Sequence, residues 1–266
     1  MKIPLVLAAF GTVSTEAAAT YDTIDREIRR HLADTPVFWA RTARVIRDRA
    51  ANATGPIWHS PLEVLTDLAA QGYGKAIVQP LQLLPGHEFH QLRRQCRQSP
   101  LPCHVALPLL TTPQDYHGLA EALATLIDKR QEQAILLVGH GTSHPIWVAY
   151  HAIETIFRQR FGRRIYVGVI DNNPDSTAVP GEIVAEGWNR VCLLPLLFVA
   201  GMHFHRDVIG SGPHSWRTRL ERAGLEVECI DRGLGRHPAT VAFIAARIKE
   251  TVYQVGDNDT ATCQLR

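Results

Sequence analysis

A chain of 266 residues with 45% hydrophobic and 20% charged residues can bury a sizeable core, as one large domain or two of modest size. The formal net charge of +2 supplies no field for nucleic acid, though a local basic pocket for an acidic small molecule remains open. Five cysteines, odd in number and never spaced as CxxC, argue against a disulfide framework or a structural zinc site and predict a cytoplasmic protein.

The opening "MKIPLVLAAFGT" reads as a buried first strand rather than a signal peptide, because no small-residue cleavage pattern closes its apolar run. No apolar segment is long enough to span a bilayer, so no membrane partner is expected. A helix through about 15–33 follows, then a strand in "PVFWA". "SPLEVLTDLAAQGY" (60–73) is a helix with Ser60 as N-cap, Pro61 at its first position and Gly72 at its end. "KAIVQPLQLL" is a strand, "EFHQLRRQC" a helix, "HVALPLL" a strand and "TPQDYHGLAEALATLIDKR" a capped helix. The pattern then restarts. "QAILLVGHGT" (133–142) repeats the strand and glycine loop of "PLVLAAFGT" (4–12), and helix "PIWVAYHAIETIFRQR", strand "RIYVGVI", helix "STAVPGEIVAEGW", strand "RVCLLPLLFVAG", helix "HSWRTRLERAG", strand "LEVECI" and helix "HPATVAFIAARIKETVYQV" complete it.

Strands that are apolar throughout and alternate with helices predict parallel sheets covered on both faces. The expected fold is α/β: two similar Rossmann-like or flavodoxin-like halves, 1–130 and 131–266, with an active-site cleft between them and most metal ligands in the second. Ligands of such sheets bind at the carboxyl ends of the strands. "FGT", "PGHEFH", "GHGTSH", "DNN" and "AGMHFH" all fall at such ends.

The chain holds thirteen histidines, several beside glycine. His140 stands between Gly139 and Gly141, free of side-chain bulk, and reads either as a group projecting into a site or as a polar residue before a helix. Thr142 and Ser143 are expected to cap that helix, and His144 to lie on the surface. Asp171 ends the next strand, either in an Asx turn with Asn172, Asn173 and Pro174 or as a carboxylate beside His140. His203 ends the one after. Two imidazoles and a carboxylate from three strand ends suit a divalent first-row metal. Glu88 occupies in the first half the place that His203 occupies in the second, as a loose ligand or proton acceptor, or merely as an acid in the first turn of its helix. Arg41, Arg44, Arg93 and Arg94 could pair with substrate carboxylates. Neither GxGxxG nor GxxxxGK[ST] is present, against nucleotide use, and no GxSxG, against an acyl hydrolase.

Taken together and in order, "FGT", "SPLEVLTDLAAQGY", "LPGHEFHQL", "LPLLTTPQDY", "GHGTSH", "VGVIDNNP", "LLPLLFVAGMH", "HSWRTRLERAG" and "GLGRHPA" resemble the class II tetrapyrrole chelatases, most closely the long, two-halved anaerobic sirohydrochlorin cobaltochelatases. The resemblance covers residue 6 to about 239. It implies that His140 and His203 bind metal and act catalytically, and that Asp171 stands where the family usually has Glu. Gln82 replaces a frequent His, and His214 a usual Asp. The tetrapyrrole site would be formed by Phe10, Gly11, Thr12, Glu88, Gly141, Thr142, Gly201 and Met202. The implied activity is insertion of Co2+ into sirohydrochlorin or precorrin-2. The alternatives are a ferrochelatase for sirohaem and a non-catalytic metal or tetrapyrrole carrier. No tightly bound cofactor is required, the divalent metal (Co2+, or Fe2+ or Ni2+) being a substrate. His87 and His205 carry no assigned role. His90 reads as a surface residue, with ligation of a second metal or a haem at a contact in a homo-oligomer as the alternative. Because Phe10 takes the place of His140 in the first half, the metal is expected nearer the second.

Overall fold

Among the described residues, eight strands pair in parallel, in two sheets of four. In a computed structural model the protein is described over residues 2–12, 15–44, 58–171 and 173–263. The first sheet joins β1 (Leu5–Ala9), β2 (Val37–Arg41), β3 (Ala76–Pro80) and β4 (Cys103–Val105) in the order β2-β1-β3-β4. The second joins β5 (Ala134–Gly139), β6 (Ile165–Val169), β7 (Arg190–Pro195) and β8 (Glu226–Cys229) in the equivalent order β6-β5-β7-β8. The described helices are α1 (Thr15–His31), α2 (Pro61–Ala70), α3 (His87–Arg97), α4 (Pro113–Asp128), α5 (Ala149–Phe161), α6 (Val179–Ala185), α7 (Trp216–Arg222) and α8 (Pro238–Cys263).

The expected alternation and the two-sheet α/β architecture are therefore present. Every residue of β1, β3 and β5 is buried, as continuous apolar strands covered on both faces require. Full burial of each Val, Leu or Ile side chain contributes about 1.5–3 kcal/mol, which pins the register. Two strands are shorter than the apolar runs suggested: "HVALPLL" yields only the three-residue β4, and "KAIVQPLQLL" stops at Pro80.

Local signals set the helix starts. Ser60 accepts a hydrogen bond from the Glu63 N–H at 3.3 Å while the Ser60 N–H donates to Glu63 Oε2 at 2.6 Å, closing a capping box before Pro61. Thr112 and Asp115 close a second box at the start of α4.

The chain packs as two compact units, Met1–Thr111 with Val241–Arg266, and Thr112–Thr240. The division at 130/131 expected from the repeat differs from this in two helices. α4 joins the second sheet, where Leu119, Leu123 and Ile127 are buried. The reason is visible at its end: Arg164, at the threshold of β6 and itself buried, donates through Nη1 to the carbonyl of Arg130 at 2.6 Å and through Nη2 to that of Ile127 at 3.3 Å. From Val241 onward α8 belongs with the first sheet, burying Val241, Ile244 and Ile248.

In the second unit the Trp216 ring lies directly on Gly168 of β6 and its indole N–H donates to the Val169 carbonyl at 3.0 Å. Trp216 is 1% exposed and cannot swing aside, so a Cβ at position 168 would collide with the ring. Gly168→Ala should cost about 1–3 kcal/mol by overpacking. Denaturant unfolding should show the loss, and an unchanged midpoint would mean that the ring gives way.

Candidate active site

In each sheet the strand order reverses between the first and third strands, and the chain leaves those two strands for opposite faces. Such switch points open a crevice at the carboxyl edge. In the second unit the two strands concerned are β5 and β7, paired from Ala134↔Val191 to Val138↔Pro195. The loop after β5 carries His140 and the loop after β7 leads to His203. Their imidazoles meet, with ring centroids 5.1 Å apart and planes inclined at 73°. Both residues are exposed.

His140 is placed through its backbone. On one side, Gly139 allows the Tyr150 ring to press against the chain where a side chain would otherwise be. On the other, Gly141 adopts φ +84°, and its missing Cβ is the space taken by the Asp171 carbonyl. The Tyr150 hydroxyl accepts the Gly141 N–H at 3.0 Å, and the His140 carbonyl accepts the Asp171 N–H at 3.0 Å. Burial raises the Tyr150 pKa, so this hydroxyl stays neutral. Thr142 and Asn173 exchange backbone hydrogen bonds of 3.2 and 3.4 Å, tying the β5 loop to the β6 loop. The capping role expected of Thr142 and Ser143 falls instead to His144. Its Nδ1 accepts the Ile146 N–H at 3.1 Å at the start of a 3-10 turn, Pro145–Val148, that precedes α5, while Thr142 Oγ1 accepts the His144 N–H at 3.0 Å.

His203 is placed through its side chain. "AGMHFHRD" folds not as an extended HxH but into a π-helical turn, Phe204–Val208, whose buried ends Phe204 and Val208 anchor it in the core. His203 and Asp207, four apart, share a face, and His203 Nδ1 lies 3.0 Å from Asp207 Oδ2. Arg206 grips the same carboxylate with two hydrogen bonds, Nε to Oδ1 at 2.7 Å and Nη2 to Oδ2 at 2.9 Å. It thereby holds the Asp207 carboxyl below its usual range, with His203 adding to the effect. An ionised carboxylate only accepts, so Nδ1 carries the proton and donates to Asp207. Arg206 Nη2, 3.3 Å from Nδ1, is then a second donor rather than a partner. Nε2 of His203 is left with its lone pair for a ligand. His205 is exposed on the same turn, its ring against Phe204.

The remaining expected residues lie as follows. Gly201 is partly buried with open space at its Cα, and Met202 is 57% exposed. Asp171 is exposed at the end of β6; Asn172, part of its expected Asx turn, lies outside the described residues. Among the described residues no three His, Cys, Asp or Glu side chains stand together as a preformed metal site; of the expected groups, His140 and His203 are the two whose rings meet. The carboxylate bonded to His203 is Asp207.

In the first unit Phe10 is 47% exposed and Thr12 partly buried after β1. Gly11, at φ +102°, donates its N–H to the Tyr21 hydroxyl at 3.3 Å, repeating the arrangement of Gly141 and Tyr150. Arg41, ending β2, lies over the rings of Tyr21, Trp39 and Trp58 at 4.5, 4.7 and 4.4 Å. Glu88, in the first turn of α3, accepts from Gln82 Nε2 at 3.3 Å. It keeps contact with solvent, yet the atoms packed around its carboxyl desolvate it and raise its pKa. His87 and His90 are exposed beside it. Sequence reasoning gave Tyr150 and Asp207 no role. The spacing of His203 and Asp207 by four was a usable signal; nothing local marked Tyr150.

A family model described as cobalt chelatase (CbiK) matches residues 4–253. A sirohydrochlorin cobaltochelatase of Salmonella typhimurium is 31% identical over 95% of this chain and 97% of its own. Sirohydrochlorin cobaltochelatase CbiKC of Nitratidesulfovibrio vulgaris is 29% identical over 90% and 87%. Among solved structures, SirB from Bacillus subtilis with Fe3+ shares the fold at a TM-score of 0.69 and 14% identity, over 97% of this chain and 98% of that one.

Asp207→Asn keeps the size of the side chain but frees the imidazole of His203 to turn or change tautomer. Calorimetric titration with Co2+ should show about a 10–100-fold loss of affinity, the usual cost of removing the group that orients a histidine ligand, with unfolding little changed. Unaltered cobalt affinity would mean that Nδ1 needs no such partner.

Proposed function

The chain belongs to the cobalt chelatase (CbiK) family, and from that premise we propose that it inserts Co2+ into sirohydrochlorin, or its precorrin-2 form, with His140 and His203 holding the ion. It is an enzyme, a metal-inserting chelatase. The observation that carries the residue assignment is the meeting of two imidazoles, 5.1 Å apart, at a switch point of a parallel sheet.

The chemistry asks for a ligand set that releases as readily as it binds. Two neutral imidazoles can hold a first-row divalent ion while the rest of its shell stays with water or passes to ring nitrogens. As the metal enters, two pyrrole N–H bonds break and two protons must be accepted. An imidazole that has let go of the ion is one acceptor; Asp171 and Glu88 are the carboxylates proposed for this work, and burial, by raising the Glu88 pKa, brings that group toward the working pH that Brønsted efficiency favours. Holding the ion in place before the ring arrives removes part of the entropic cost of their encounter. The carboxylate-rich rim of sirohydrochlorin calls for cations, and Arg41, framed by three aromatic rings, is a rigid guanidinium suited to a carboxylate. Met202, next to His203 in the chain, offers exposed apolar surface for the macrocycle. Among the described residues no helix is long and apolar enough to cross a membrane; a cytoplasmic site of action is part of the proposal.

Steady-state insertion, followed by the absorbance of sirohydrochlorin with Co2+, Fe2+ or Ni2+ supplied in turn, tests this directly. Turnover with Co2+ is expected. His140→Ala and His203→Ala should each lower kcat/KM by about 10²–10⁴-fold, the range for losing a group engaged in proton transfer. Unfolding should stay within about 0.5 kcal/mol, because both residues are exposed. Asp171→Ala should lower the rate and Asp171→Glu retain it. Wild-type rates in both histidine variants would sink the assignment.

The raised carboxyl of Glu88 sets the sign of a pH effect. It takes up its proton at higher pH than an ordinary glutamate, so a step needing its carboxylate should fade on acidification above the usual glutamate range. Glu88→Gln should lower the rate and abolish that acid limb. A limb that survives the substitution belongs to another group.

A further inference from the structure

Cys96, in the last turn of α3, and Cys103, at the start of β4, line one cavity of about 450 Å3 with Arg93, Arg97 and Ser99. The pair stands outside the strand-end loops, and metal insertion makes no use of it. Between the two cysteines the chain doubles back tightly. The Ser99 N–H donates to the Cys96 carbonyl at 3.2 Å, and the Leu101 N–H to Ser99 Oγ at 3.0 Å. This turn brings Cys103 Sγ to 3.8 Å from the Cys96 carbonyl oxygen, which accepts its S–H. Their surroundings differ. Cys96 is 4% exposed, whereas Cys103 is only partly buried. Cys192 and Cys229 lie in the second unit, where burial pushes the Cys192 thiol up to about 12.

We propose that Cys96 and Cys103 form a peroxide-sensitive dithiol that closes to a disulfide, fastening the end of α3 to β4. Cys103 is the attacking group. The Cys103 thiol borders a cavity flanked by two guanidinium groups, and the neighbouring thiol shifts its pKa down while that of Cys96 is shifted up. The Cys103 thiolate attacks one oxygen of hydrogen peroxide; the O–O bond breaks, the peroxide is reduced by two electrons, and the departing hydroxide becomes water with the proton that Cys103 released. Cys103 is then a sulfenic acid. The Cys96 sulfur attacks the Cys103 sulfur, the S–O bond breaks, and the hydroxide leaves as a second water with the Cys96 proton. Two thiols and one peroxide thus give one disulfide and two waters.

The test uses the reduced full-length chain, treated with one equivalent of hydrogen peroxide, quenched in acid, alkylated under denaturing conditions and digested with trypsin. Trypsin cuts after Arg97, so the bond would appear as two peptides joined between Cys96 and Cys103, lighter by two hydrogens than their sum and separated by dithiothreitol. Two thiols per chain should be lost while Cys192 stays alkylatable. In Cys96→Ser, oxidation should halt at a sulfenic acid on Cys103 that dimedone traps; in Cys103→Ser, Cys96 should remain reduced. Full alkylation of Cys96 and Cys103 in the treated wild-type protein would overturn the proposal. So would a disulfide from either cysteine to another, or oxidation of Cys103 to sulfinic acid with Cys96 still reduced.

Discussion

The pairing of β5 with β7 is the constraint on which the candidate site depends. Parallel neighbours lie about 4.8 Å apart, so whatever follows their carboxyl ends starts within reach. Their connections depart to opposite faces of the sheet, which keeps the space beyond the ends open. His140 begins one of the departing loops, and His203 closes the approach to the turn that follows the other. A slip of one residue in this register would turn every buried side chain of β7 toward the wrong face. With Val191, Cys192 and Leu193 all fully buried, that slip is heavily penalised. The apolar core of the second unit thereby sets the separation of two exposed imidazoles that contribute little to stability themselves.

The two units use one backbone device for different ends. After the first strand of each sheet a glycine with positive φ gives its N–H to a tyrosine hydroxyl from the following helix, Gly11 to Tyr21 and Gly141 to Tyr150. The device fixes the direction of the loop without using any side chain of the loop itself. The residue before the glycine is then free to carry chemistry: phenylalanine in the first unit, histidine in the second. After the third strand the contrast continues, with a desolvated carboxylate at Glu88 and an imidazole at His203. The metal-binding groups proposed here come from the second unit.

Much of this was legible in the sequence, because the decisive signals were local or periodic. Unbroken apolar runs fixed the parallel strands, Ser60 and Pro61 marked a helix start, and the strand-end rule singled out His140 and His203. What escaped depended on geometry that spacing does not encode. The chain coils at "HFH" into a π-turn, and Asp207 becomes the partner of His203. The boundary at 130/131 followed the sequence repeat, but α4 is claimed by the second sheet through Arg164, a contact made across more than thirty residues. Tyr150 looked like one more apolar helix position. Its role emerges only where its ring meets Gly139 and its hydroxyl meets Gly141.

The two imidazoles are held by unlike means, and the difference bears on how an ion would move. Exposed ion pairs such as Arg206 with Asp207 add little to stability. This pair contributes by keeping Asp207 ionised, so that it fixes both the tautomer and the ring plane of His203. His140 is fixed only as far as its Cα, by the hydrogen bonds on either side of it. An ion reaching the pair would therefore meet one ligand already aimed and one that can still rotate about its side-chain bonds. Rigid ligation from both sides would hold the ion more tightly, but it would also resist giving the ion up. For a metal that is cargo rather than resident, one clamped and one adjustable imidazole would meet both requirements of the proposed role: the first would set where the ion binds, and the second would let go as ring nitrogens take its place.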